Sequence, residues 1–378
     1  MKVLVAIDSM KGSLSSLEAG KAAAKGIQRA CPDAEVRVFP LADGGEGTVR
    51  ALTEGLGGRL ERVTVTGPLG GSVAAAYGIL PDGRTAVLEM AQASGLTLVS
   101  RDALDPRRAS SFGTGEMIRD ALEKGCREFL IGIGGSATTD GGKGMLEALG
   151  WEFLNAEGKA VGPGIGELGQ IAEIRGEHRM PELDQSHFRI ACDVSNPLLG
   201  EQGAVFVYGP QKGVLAEERE ELDASMRWFA EKTGEATGRD CRNVPGAGAA
   251  GGLGFAFLSY FPDAELKAGA ELVLEAVNLE GELSGADAVV TGEGRLDGQT
   301  AMGKAPAGVA RLAKKYGKKV IALAGQVAED AAACNQTGID AFFSILPGVM
   351  SLEEAMEPSR AAKNLERTAE QVFRLLKP

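Results

Sequence analysis

Asp8 and Asp193 each come directly after an apolar run that reads as a buried strand, Val3-Leu4-Val5-Ala6-Ile7 and Phe188-Arg189-Ile190-Ala191-Cys192. A carboxylate there points out of the edge of an open α/β sheet, where ligands gather. Such a group is suited to take the proton of an alcohol as it attacks a phosphoryl group. Lys11 lies three residues after Asp8, beside Gly12 and Ser13 and just before a helical segment. A cation there, with backbone N–H groups around it, can hold a carboxylate or a phosphate. Asp43, Glu46, Asp140, Glu293 and Asp297 add carboxylates in glycine-rich or post-strand loops. Mg²⁺ takes one or two carboxylates together with phosphate oxygens. Each aspartate alone also serves as a helix cap or turn former; Asp193 before Ser195-Asn196-Pro197 fits that use too.

Six loops join glycine to small polar or acidic residues: DSMKGS from Asp8, DGGEGT from Asp43, GTGE from Gly113, GGSATTDGG from Gly134, GAGAAGGLG from Gly246 and TGEGRLDGQT from Thr291. Successive N–H groups in such loops form anion-binding nests. Gly246, Gly248 and Gly251 satisfy GxGxxG, but no strand precedes them, so the dinucleotide fingerprint lacks its context. They suit either a phosphate at a helix start or close glycine packing. Gly298 to Ala305 resembles a P-loop whose Mg²⁺-binding hydroxyl is replaced by Ala305, leaving Lys304 as a point charge for phosphate or as an exposed lysine.

Strand-helix alternation at both chain ends positions these groups. Residues 2–7 read as a strand, Ser16–Ala30 as a helix and Glu35–Phe39 as a strand. Ala288–Thr291, Ala307–Lys315, Lys319–Ala324 and Ala341–Leu346 repeat that grammar, and Leu352–Leu376 reads as helix. Uniformly apolar strands of this kind belong to parallel sheets covered on both faces. The expected fold is α/β: a doubly wound, Rossmann- or flavodoxin-like domain built from 1–68 plus 284–378. Residues 69–283 form an inserted α/β domain with a mixed sheet, and the active site lies in the interdomain cleft. In the insertion, Arg62–Thr66, Ala74–Leu80, Thr85–Glu89, Phe129–Ile133 and Phe188–Cys192 read as strands. Pro81-Asp82-Gly83 reads as a hairpin turn.

The 378 residues suit two domains, with 44% apolar and 24% charged residues and 54 glycines clustered between hydrophobic runs. A net charge of −12 and the lack of a basic stripe argue against nucleic acid. No apolar stretch approaches membrane-spanning length. The five scattered cysteines form no CxxC pair, as expected for free thiols in a reducing, cytoplasmic setting. His178 and His187 are the only histidines, which excludes a histidine metal cluster and disfavours a Ser-His-Asp hydrolase.

VLVAIDSMKGSLSS, PLADGGEGT, FGTGE, GIGGSATTDGG, DVSNPLLG, PGAGAAGGLG and ADAVVTGEGRLDGQTAMGK, in that order, resemble the bacterial class I glycerate kinase family from residue 1 to the last helix. The resemblance implies ATP- and Mg²⁺-dependent phosphorylation of D-glycerate, more often at the 2- than the 3-position. Catalytic roles rest on loop position and chemistry. Asp193 is the favoured base and Asp8 the alternative, with Lys11 on the substrate carboxylate or the phosphoryl group in transit. Ser13, Asp43, Glu46 and Ser94 join Lys11 as substrate contacts. Gly134, Gly135, Ser136, Thr138, Thr139, Gly246, Gly248, Gly251 and Lys304 are expected at the nucleotide phosphates, and Glu293 and Asp297 at the metal. A homo-oligomer is compatible with the sequence. A non-catalytic sensor of an organic acid or nucleotide is the competing class, and a dehydrogenase the weaker third.

Overall fold

The structure, a computed structural model, describes residues 1–376. They form two compact units: residues 1–43, 50–56 and the chain from 269 onward in the first, and 44–49 and 57–268 in the second. Both crossings come earlier than the expected 68 and 284. Arg59–Thr66 pairs along its length with Ser72–Ile79, which ties it to the second unit. At the other end, helix Gly269–Ala276 packs on helix Ala305–Lys315, where Gly308 leaves room for Ala270 and Leu274.

The first unit is a five-stranded parallel sheet in the order Ala341–Ser344, Lys319–Val327, Ala288–Leu296, Lys2–Ile7, Glu35–Pro40. Both chain ends share this sheet, as the alternation predicts. Val3 to Ile7 are fully buried because helices cover both faces. Ser15 and Glu18 close a capping box at the start of helix Ser16–Ala30. Gly26 of that helix lets the Glu366 backbone approach from helix Pro358–Leu376. The expected single helix from Leu352 is broken into Leu352–Met356 and Pro358–Leu376. Pro358 lacks an N–H and forces Glu357 out of the helical region, to φ −60, ψ 120. The strand order reverses between Lys2–Ile7 and Ala288–Leu296, and the carboxyl ends of strands flanking such a switch point form a crevice.

The second unit is a six-stranded mixed sheet in the order Glu265–Lys267, His187–Ala191, Glu128–Gly132, Thr85–Glu89, Ser72–Ile79, Arg59–Thr66. The first four strands are parallel and the last two join as antiparallel neighbours. The Pro81-Asp82-Gly83 turn forms as predicted: Gly83 has φ +67, and the Asp82 carboxylate accepts from the Arg84 and Thr85 amides. Phe129, Phe188, Phe257 and Phe261 pack together in its core.

Candidate active site

In the first unit a cavity of about 640 Å³ opens at the switch point, lined by Asp8, Lys11, Ser13, Asp43, Glu293, Arg295, Asp297 and Lys304 among others. Ser16 ties together the ends of two neighbouring strands: its hydroxyl donates to Ile7 O at 2.6 Å and accepts from Leu41 N–H at 2.7 Å. Asp8 leaves the strand with its amide on Gly292 O (2.8 Å), and its carboxylate accepts from Ser9 N–H at 2.7 Å. Asp8 is 9% exposed. Burial, then the nearby Asp43 and Glu293 charges, push its pKa up to about 7, against the Ser9 amide and Lys11. Lys11 itself is exposed, with Nζ 4.0 Å from Asp43. Ser13 Oγ is buried with no protein partner.

The sequence suggests that Glu293 and Asp297 flank a glycine turn after a strand ending at Thr291; instead the strand runs on to Leu296, with Glu293 facing Ala324, Arg295 facing Gln326 and Leu296 facing Val327. The period of two then sends Glu293 and Arg295 to one face, and both line the cavity. Asp297 caps the short helix Gly298–Ala301, accepting from the Gln299 and Thr300 amides at 3.0 and 3.2 Å. Burial opposes its ionisation, yet the Thr300 amide, Lys304, the Gln299 amide and Arg295 hold its carboxyl below the usual range. Glu293 is raised instead, because burial outweighs the Thr300 hydroxyl and Lys304. Lys304 Nζ lies 4.0 Å from Glu293 and 3.7 Å from Asp297.

In the second unit the Gly134–Gly142 loop leaves the carboxyl end of strand Glu128–Gly132. Asp140 anchors it, accepting from Ser111 N–H, Ser111 Oγ and the Gly142 and Gly144 amides at 2.7–3.2 Å. Ser94 O accepts from Ala137 N–H at 2.9 Å, and Gly141 N–H donates to Gly251 O at 3.0 Å. The second glycine run therefore backs the first. Ala250, Gly251 and Gly252 have positive φ, and a Cβ on Gly251 would strike the Thr138 carbonyl. Gly248 sits against Pro197 O and Gly254 against Gly246 O. Close packing accounts for these glycines.

A family model described as the Glycerate kinase family matches residues 3–377. The chain belongs to the glycerate kinase family. It is 48% identical to a glycerate kinase of Bacillus subtilis over 377 residues, covering 100% of this chain and 98% of the relative. It is 46% identical to the glycerate 2-kinase of Escherichia coli, covering 97% and 98%. A crystal structure assigned to glycerate kinase 2 of Salmonella typhimurium superimposes with a TM-score of 0.92 at 44% identity, covering 100% and 98%.

For a glycerate kinase family member the expected site residues are placed unevenly. Asp8, Lys11, Ser13, Asp43, Glu293, Asp297 and Lys304 share the first-unit cavity. Glu46 is exposed in the segment 44–49 of the second unit. Ser94 is fully buried, its hydroxyl 2.9 Å from that of Thr114, and supports the Gly134–Gly142 loop. Asp193 is exposed after strand His187–Ala191. The GTGE motif is no loop: it opens helix Phe112–Glu123, and its glycines admit the Thr66 and Met145 carbonyls. Sequence reasoning missed Thr300, which donates to Glu293, and Lys212, which donates to Ser136 Oγ and Thr138 O. Neither carries a local signal, since a threonine and a lysine in polar turns read as solvent-facing.

Proposed function

We propose that the chain transfers the γ-phosphoryl group of ATP to D-glycerate, giving 2-phosphoglycerate and ADP in the cytoplasm. Family membership and the names of the relatives support ATP as donor and glycerate as acceptor, and the Escherichia coli relative supports the 2-position. The observation that carries the reading is Asp8: a buried carboxylate, titrating at about 7, in a cavity that also holds Lys11 and Lys304. A base with that pKa is half ionised near neutrality, where general-base help is most effective.

In this reading Lys11 and the unpartnered Ser13 hydroxyl hold the glycerate carboxylate. Asp8 accepts the proton of the attacking hydroxyl, the hydroxyl oxygen bonds to the γ-phosphorus, and the bridging bond to ADP breaks. Lys304 balances charge on the phosphoryl group in transit. Asp193, after strand His187–Ala191, is the second candidate base. Gly134, Gly135, Ser136, Thr138 and Thr139 are the phosphate-loop residues, with Gly246, Gly248 and Gly251 supporting them from behind.

Mg²⁺ belongs to the same proposal. Glu293 offers hard oxygens, one held by Thr300 at 2.6 Å, and its ionised form is disfavoured by burial and by the Asp297 and Asp43 charges. A dication relieves that penalty. Among the described residues no three ligating side chains are clustered, which suits a metal that shares few carboxylates with phosphates and water. Glu293 would hold it, with Asp297 through water because its oxygens already serve the cap and Arg295. Bound there, Mg²⁺ supplies charge neutralisation at the phosphates.

An assay of ADP release with ATP, Mg²⁺ and D-glycerate, with the product identified by NMR, tests the function. No ADP release on D-glycerate would overturn it, and a 3-phosphate product would overturn the position.

A further inference from the structure

Lys212 is a lysine with almost no contact with water, 1% exposed, in a turn that neither ends a strand nor carries a recognised motif. Gly213 at φ +100 ends the short Pro210–Lys212 helix, and the Lys212 amide bonds Gly209 O at 2.9 Å, which fixes the side chain's starting point. Its ammonium donates to Ser136 Oγ at 2.7 Å and to Thr138 O at 2.6 Å, both in the Gly134–Gly142 loop. Among the described residues no carboxylate forms an ion pair with it. Asp140 acts on it only at longer range, and burial pulls its pKa down to about 7. A buried, unpaired ammonium is costly to a fold, and an apolar side chain of similar length would avoid that cost.

The Thr138 and Thr139 hydroxyls are buried without any partner. Ser136 Oγ accepts from Lys212, which leaves its own proton to donate. Gly134 and Gly135 beside it are exposed, with Gly135 at φ +75. An incoming anion has access to the exposed Gly134 and Gly135, and the buried Ser136 next to them is bonded to the Lys212 ammonium. A hydroxyl that accepts from an ammonium is a stronger donor to an anion on its other side.

We propose that Lys212 is a positioning residue for the nucleotide's phosphates: through Ser136 and the Thr138 carbonyl it fixes the Gly134–Gly142 loop and charges it from within, without touching the ligand. This rests on the reading of that loop as the phosphate loop.

Calorimetric titration of the full chain with a non-hydrolysable ATP analogue plus Mg²⁺, and separately with D-glycerate, tests it. Lys212→Met is expected to weaken the analogue roughly tenfold to a hundredfold, the range of a charge-assisted hydrogen bond, and to leave glycerate affinity unchanged. Lys212→Arg should recover part of the loss, and Lys212→Met should add little once Ser136 is alanine. A folded Lys212→Met protein with parental analogue affinity overturns the proposal, as does an equal loss for both ligands, which marks a purely structural lysine. Should Lys212→Met not fold, Ser136→Ala decides: unchanged analogue affinity overturns both the relay and the phosphate-loop reading. A loss in Ser136→Ala without one in Lys212→Met or Lys212→Arg sinks the lysine's role alone.

Discussion

Thr300 Oγ1 donates to Glu293 Oε1 at 2.6 Å while accepting from the Asp297 N–H at 3.1 Å. One hydroxyl thus ties the last cavity carboxylate of the strand to the cap of the following helix. The bond favours the ionised glutamate against its burial. Thr300→Val removes the donor at nearly constant volume. The Mg²⁺ concentration for half-maximal rate should rise about tenfold or more, whereas Thr300→Ser should stay near the parent. An unchanged Mg²⁺ titration in the valine variant removes Glu293 from the metal site.

Asp8→Asn should lower kcat by roughly 10²–10⁴. In the parent, kcat/KM should rise with pH through about 7, as Asp8 loses its proton. That limb should be missing from the residual activity of the variant. A variant that keeps the limb shows that another group carries it.

The same substitution should alter stability, with a sign fixed by the raised pKa. Asp8 titrates at about 7 in the fold, against 3.8 for a free aspartate. Its favourable contribution is complete below the unfolded value and is lost as pH rises through the folded one. Between pH 5 and pH 8 the parent should lose roughly 2–3 kcal/mol relative to Asp8→Asn. Thermal melts of both proteins at the two pH values measure the difference, and parallel curves would refute the shift.

Asp193→Asn is expected to retain kcat within a few-fold, because the residue is exposed and Asp8 holds the buried position. Steady-state kinetics on folded protein settle it. A fall of about a hundredfold or more transfers the base to Asp193.

Gly251→Ala should both destabilise the second unit and weaken ATP. Gly251 has φ +69, and an added Cβ collides with Thr138 O and lies 2.6 Å from Thr139 Cα. The strained backbone alone costs on the order of 1 kcal/mol, and the collision pushes on the phosphate loop. A lower melting temperature with a raised KM for ATP is expected. An unchanged KM for ATP would detach that loop from the nucleotide.

Much of the fold could be read from the chain because its apolar runs match their strands: Lys2–Ile7 and Thr85–Glu89 appear with the expected bounds. From sequence alone, strand Ala288–Leu296 ends at Thr291, because Gly292, Glu293 and Gly294 look like a loop. In the sheet, Gly292 is needed where the Leu323 carbonyl approaches, and Glu293 points into a cavity. Asp8, Asp43 and Asp297 were legible because they follow strands. Lys212 was not, since burial of a lysine is decided by residues 74 and 76 positions away. The glycine run from Gly246 was legible as composition only; its partner surface, the loop at Thr138, is set by tertiary packing.

Lys2–Ile7 pairs on one side with Ala288–Leu296, a partner that leaves the ribosome only after most of the chain has been made. At about 5–20 residues per second, that wait lasts on the order of tens of seconds. During it the first strand can pair with Glu35–Pro40 but keeps an apolar edge open. The first strand therefore presents an unpaired, aggregation-prone edge to its surroundings for as long as that wait lasts.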